Sequence, residues 1–178
     1  MSEEMLVCHC SPTLAGLKTG SLFSCPYSSQ KMIIKEIREF NQKLTQKGIR
    51  IIPVRISDKR MLVYVYRPEK LKEDFSDEKT QIILKCKGYD CTNLSQCICR
   101  LIQKLQSDPD FPHEIGLFLG YPAEDVKGFI ENKAACSKCS GCWKVYGDEQ
   151  AARILFKKYK KCTFLTRKSF FKSVFVLK

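Results

Sequence analysis

Two runs rich in β-branched and aromatic residues, 49–56 (IRIIPVRI) and 61–66 (MLVYVY), are joined by Ser57-Asp58-Lys59-Arg60. Runs of this kind on either side of a short turn support a β-hairpin. Pro53 cannot donate to a strand ladder, so the first strand belongs at an edge or carries a bulge. The rest of the chain supplies helices to cover such a sheet. Ile33, Ile34, Ile37, Phe40 and Leu44 recur at helical spacing and predict a helix over residues 29–47, closed by Gly48. Pro68 opens a short helix, and another is expected over residues 79–85. Leu94, Cys97, Ile98, Leu101, Ile102 and Leu105 form a further stripe, which makes Cys97 a small core residue.

The remaining segments follow the same logic. Residues 6–10 read as a short strand, with Ser11-Pro12 starting a brief helix that runs to Lys18. Glycine and proline at Gly120-Tyr121-Pro122 punctuate the chain before a helix face formed by Val126, Phe129 and Ile130. Residues 140–146 read as another strand. Residues 149–162 read as a long helix with Ala152, Leu155, Tyr159 and Cys162 inward, and 170–177 as a final strand packed on it. The 178 residues suit one domain with a single core. The expected architecture is α+β. A small mixed or mainly antiparallel sheet from the regions of Leu6, Ile49, Met61 and Gly141 is covered by helices around Met32, Leu94, Val126 and Leu155.

Charge is unevenly placed within a net +12. Residues 151–178 hold Arg153, Lys157, Lys158, Lys160, Lys161, Arg167, Lys168, Lys172 and Lys178 with no Asp or Glu. Such a basic segment suits an acidic protein, an anionic ligand, anionic lipid or nucleic acid through its summed field. The start, MSEEMLVCHC, carries two acids before a short apolar run, unlike the basic opening of a secretory leader. No apolar stretch approaches the roughly 18 residues of a membrane span. The expectation is a cytoplasmic protein, where thiols stay reduced.

Eleven cysteines then call for a chemical reading. Cys10, at an expected strand-to-helix junction, would meet unpaired amides and a helix dipole that favour thiolate. His113 would be its base, because neighbouring His9 points the other way on a regular strand. Glu114 adjoins that histidine but is poorly placed to orient it. Cys136, Cys139 and Cys142 have spacing that lets three thiolates converge on zinc or an iron-sulfur cluster, or supply a redox pair. No fourth local ligand follows. Thr13 and Lys18, near a helix start, are candidates for an anion or ligand site, as are Lys144 and Tyr146 on one side of a strand opposite Trp143 and Val145. There is no Walker sequence and no paired-glycine dinucleotide fingerprint.

Four stretches share a further property: residues 9–18 (HCSPTLAGLK), 62–68, the block FPHEIGLFLGYPAEDVKGFIEN at 111–132, and 141–148. Through them the chain resembles the DUF3793 family of proteins from Clostridia and related anaerobic bacteria. The family-like positions are His9, Cys10, Thr13, Lys18, His113, Glu114, Lys144, Tyr146 and Asp148. Ser11 stands where the family more usually has alanine. The resemblance implies no established activity. It also implies genes that often sit near flavodoxin or ferrous-iron transport genes, and hence a flavin or flavodoxin partner. Three functional classes follow. They are a small-molecule enzyme or binding protein with a Cys10/His113 site, a metal- or redox-linked binding protein using Cys136, Cys139 and Cys142, and a basic interaction module.

Overall fold

Strand β3 (Arg60–Tyr66) lies between two antiparallel neighbours, β1 (Gly20–Pro26) and β2 (Arg50–Ile56), so both of its edges are paired. A computed structural model describes residues 1–107 and 110–176, the last six of these by backbone alone. Alternation along β3 sends Met61, Val63 and Val65 into one apolar cluster and Tyr64 and Tyr66 into another. Both faces of the sheet therefore need cover. On the first, α1 (Glu3–Leu14) and α2 (Gln30–Leu44) bury Leu6, Cys10, Ile33 and Ile37. On the second, α3 (Pro68–Phe75), α4 (Glu78–Cys86), α5 (Leu94–Ser107), α6 (Ile115–Phe118) and α7 (Ala123–Asn132) contribute Leu71, Leu84, Leu101, Phe118 and Val126. The result is a mixed α+β domain with a small antiparallel sheet covered by helices.

The last part of the chain adds a third cluster. A two-stranded hairpin, β4 (Cys139–Ser140) and β5 (Lys144–Val145), is followed by α8 (Glu149–Val176). Trp143, Val145, Ala152, Phe156 and Tyr159 pack together where the two meet, and α8 also lies along α1. Gly141 permits that packing, because a Cβ there would sit 2.2 Å from the Phe156 ring. Among the described residues no helix is long and apolar enough to cross a membrane.

The β2–β3 hairpin forms as its residues predict. Pro53 lies in edge strand β2, and the register slips between Pro53 and Arg55, so the strand is both edge and irregular. Helix α2 runs into a single 3-10 turn, Thr45–Lys47, and ends at Gly48 with φ +69°, the left-handed conformation glycine adopts freely. Cys97 is fully buried in the core.

Four local expectations are corrected. Residues 6–10 are helical, not a strand. Ser2 caps α1 by accepting from the Met5 amide, and Glu3 and Glu4 in the first turn complement its dipole. Pro12 falls in the last turn, so the helix begins upstream of Ser11-Pro12 and ends at Leu14. The third strand of the main sheet is β1, whose sequence GSLFSCP shows little strand character. Residues 140–146 form part of a separate small hairpin and add no strand to the main sheet. The chain from Phe170 to Val176 continues α8 rather than turning into a strand, and residue 177 lies outside the described residues.

Arg67, just after β3, ties these layers together. Its guanidinium donates to the carbonyls of Thr13 at 2.7 Å and Leu14 at 2.7 Å, which end α1, and to that of Lys47 at 3.1 Å. Replacing Arg67 by Met takes the side-chain donor from the Leu14 carbonyl and leaves the Thr13 carbonyl with the Gly16 amide alone, and is expected to cost about 1.5–3 kcal/mol in urea unfolding. Lys at this position recovers only part of that loss, because it lacks the planar fork that reaches two sites at once.

Candidate functional site

Helix α1 ends in a tight reversal: Gly16 adopts φ +77°, and the amides of Leu17 and Lys18 both donate to the Pro12 carbonyl. The turn carries Lys18 into a cleft of about 590 Å³ between α1 and α8. Its walls include His9, Lys18 and Ser21 from one side, Lys160, Arg167 and Lys168 from α8, and Cys142 from the hairpin. Among the described residues no carboxylate lines the cleft. Among the described residues, Lys18, Lys160, Arg167 and Lys168 form no ion pair.

Lys18 is the unusual member. It is half-buried, and its Nζ lies 5.0 Å from the centre of the Tyr121 ring, a cation–π contact. Among the described residues no oxygen accepts from its ammonium. Burial lowers its pKa to about 8, while the Cys142 and Cys10 thiols pull the other way. The protein thus holds a cation in a place that disfavours charge and gives it no acidic partner. An incoming anion would supply that partner.

The sequence-derived candidates divide between this cleft and other roles. Cys10 is fully buried in the second half of α1, away from the helix N-terminus. Burial pushes its thiol up to about 12, against the opposing pull of Lys18 and a hydrogen bond with Ser21. Its junction environment is therefore not the thiolate-favouring one expected of a strand end. His113 is exposed, meets Phe129 edge-to-face at 4.9 Å, and lines a different cavity. No hydrogen bond or ring contact joins it to Cys10 among the described residues. Glu114 turns away from any imidazole and pairs with Lys104 at 2.8 Å and the Tyr89 hydroxyl at 3.0 Å. Thr13 is buried and bonded at 2.9 Å to Ser21, which itself lines the cleft.

All eleven cysteines are free thiols. Cys136 is exposed at φ +58°, Cys139 packs against the α8 cluster, and Cys142 is exposed at the cleft. The hairpin separates the last two, with Cys139 opposite Val145 and Cys142 in the connecting turn. Among the described residues no group of three or more His, Cys, Asp or Glu side chains is arranged to hold a metal ion.

A second cavity, about 420 Å³, opens on the other side of Cys142. Phe111, Val126, Phe129 and Trp143 make it largely apolar, with His113 and Lys144 also on its wall. Asp125 positions the hairpin there. Its carboxylate accepts from the Trp143 indole at 2.6 Å and from the amides of Tyr146 and Gly147, both at 2.7 Å. Tyr146 itself packs over Gly128 and donates to the Lys133 carbonyl, so it serves the hairpin and does not face the cleft. Sequence reading missed Asp125, Tyr121 and Ser21. Their partners lie far along the chain, and no local pattern marks them. It found the basic run of α8 but not that Lys160, Arg167 and Lys168 face Lys18.

These features define a helix-rich α+β protein with a basic cleft beside a largely apolar cavity. The chain belongs to the family described as protein of unknown function (DUF3793), which matches residues 6–176. Neither a curated protein nor a solved structure matches it.

Two outcomes check this description. At neutral pH, Cys10 is expected to alkylate at least ~100-fold more slowly than exposed Cys86 and Cys99, read by mass spectrometry of the peptides. Replacing Asp125 by Ala removes the acceptor for three buried or half-buried donors. It is expected to destabilise the fold by about 2–4 kcal/mol, with a shift of Trp143 fluorescence reporting a loosened hairpin.

Proposed function

We propose that this protein binds a small anionic ligand in the cleft between α1 and α8, with Lys18 as the central contact. The observation that supports this reading is the half-buried Lys18 ammonium facing a cleft without carboxylates, with no acceptor among the described residues. Lys160, Arg167 and Lys168 surround the same space and steer an anion toward it. Exposed His9, stacked on Phe23 with ring centres 5.1 Å apart, adds a donor on the α1 side. The basic C-terminal segment thereby acquires a narrower role than a general polyanion surface. A cytoplasmic setting, as the sequence leads one to expect, in an anaerobic bacterium, as the family resemblance implies, would keep the eleven thiols reduced. The Cys10/His113 enzyme reading and the metal or redox reading of Cys136, Cys139 and Cys142 have less behind them.

The test is a titration with inorganic phosphate, followed by the amide signals of residues 9–21 and 160–168. The wild-type signals are expected to move in a saturable way, and Lys18→Gln is expected to weaken binding at least ~10-fold. Affinity should be greatest below pH 8 and fall as Lys18 loses its proton through about 8. Unmoved signals, or equal binding by the variant, would contradict the reading.

Stability should move the opposite way. A lysine whose folded pKa is about 8 against 10.5 when unexposed to the fold is penalised while protonated. That penalty is complete below pH 8 and disappears as pH rises through 10.5. Lys18→Met is therefore expected to stabilise the ligand-free protein at pH 7 by on the order of 1–3 kcal/mol, and by less at each step toward pH 10.5.

A further inference from the structure

We propose that the ligand is an anion carrying an apolar, ring-sized body. Its charged group lies beside Lys18, and its body passes Cys142 into the second cavity. This rests on the anion-binding reading of the cleft and assigns the chemical class of its ligand.

Three observations carry it. First, the two spaces adjoin, since Cys142 belongs to the walls of both. Second, an aromatic path joins them. The Tyr121 ring lies under Lys18 in one direction and stacks on Trp143 in the other, with centres 4.7 Å apart and planes 26° from parallel. Both rings line the second cavity. Third, the two spaces differ in chemistry as the two ends of such a ligand do. The cleft presents Lys18, Lys160, Arg167 and Lys168, whereas the second cavity presents mainly hydrocarbon and aromatic faces. The carboxylate of Asp125 on its wall is already occupied by the Trp143 indole and two backbone amides.

Each space is of a size that takes a small molecule or a large fragment of one. A bare anion would leave the second cavity unused. A wholly apolar ligand would leave Lys18 without a partner. Cys142, an exposed residue, stands where the two spaces adjoin, and so reports occupancy there. Burial raises its pKa while Lys18 and Lys160 lower it, so its alkylation responds to whatever screens those cations.

The experiment compares inorganic phosphate with 1-naphthyl phosphate on the full chain. The expected result is that the aryl ester binds at least ~10-fold more tightly than phosphate. Lys18→Gln should weaken both. Ser140→Phe, at an exposed position lining the second cavity, should shrink the ratio between the two affinities. In the wild-type protein the aryl ester should also slow maleimide alkylation of Cys142 relative to Cys86, a measurement that needs no variant to fold. If phosphate and the aryl ester bind within about twofold of each other, the cleft still binds anions and the bipartite ligand is overturned. A tighter aryl ester whose advantage survives both substitutions has bound elsewhere, and this also overturns it. If neither compound binds, the anion-binding reading itself fails and takes this inference with it.

Discussion

Strand β3 is paired along both edges and buried on both faces, and everything else in the fold is arranged to make that tolerable. A strand with Met61, Val63 and Val65 on one side and Tyr64 and Tyr66 on the other exposes a large apolar area unless helices cover each face. The chain meets that need with α1 and α2 on one side and α3 to α7 on the other. Covering the first face fixes α1, and α8 then lies along α1 and carries its basic side chains to the turn where Lys18 emerges. Arg67, at the end of β3, ties the last carbonyls of α1 to the sheet. The position of the cleft follows from the demands of the core.

The cleft in turn conflicts with the economy of that core. Helix-rich domains of this size keep lysines at the surface with their ammonium groups in water. Here Lys18 is drawn partly inside, where burial lowers its pKa and the Tyr121 ring, not a carboxylate, lies against its ammonium among the described residues. Compare Lys104, also half-buried, which has Glu114 and the Lys87 carbonyl as acceptors within 2.8 Å. The same chain therefore satisfies one inward lysine fully and leaves the other to the cleft. Local departures from a satisfied, stabilising arrangement concentrate at sites of function. The neighbouring cavity, walled by Trp143 and Phe129 and bordered by the Asp125-anchored hairpin, extends the site with a mainly apolar surface.

Much of the fold is legible in local patterns. The β2–β3 hairpin, the irregularity at Pro53, the α2 stripe with its Gly48 stop and the burial of Cys97 all follow from periodicity or from one residue's stereochemistry. The errors have physical causes too. Residues 6–10 contain cysteine, histidine and valine, which are weak helix formers, and α1 is held by its Ser2 cap, its acidic first turn and packing against β1 that no short window shows. Strand β1 was invisible because pairing with β3 selects it, not the strand propensity of Gly, Ser and Pro. The site was half legible. Lys18, Thr13 and the basic run of α8 stood out, but their convergence with Tyr121 and Cys142 depends on contacts spanning more than a hundred residues. Cys10 drew attention for a junction that is not there.

The central claim is that Lys18 is held as a partly desolvated cation awaiting an anion, and its own titration tests this most directly. Following the side-chain amine by NMR across pH, the account predicts a midpoint near 8 in the free protein. It also predicts an upward movement of that midpoint when phosphate is present, since an anion that binds the protonated form must favour it. A midpoint at the ordinary lysine value, unchanged by phosphate, would contradict it.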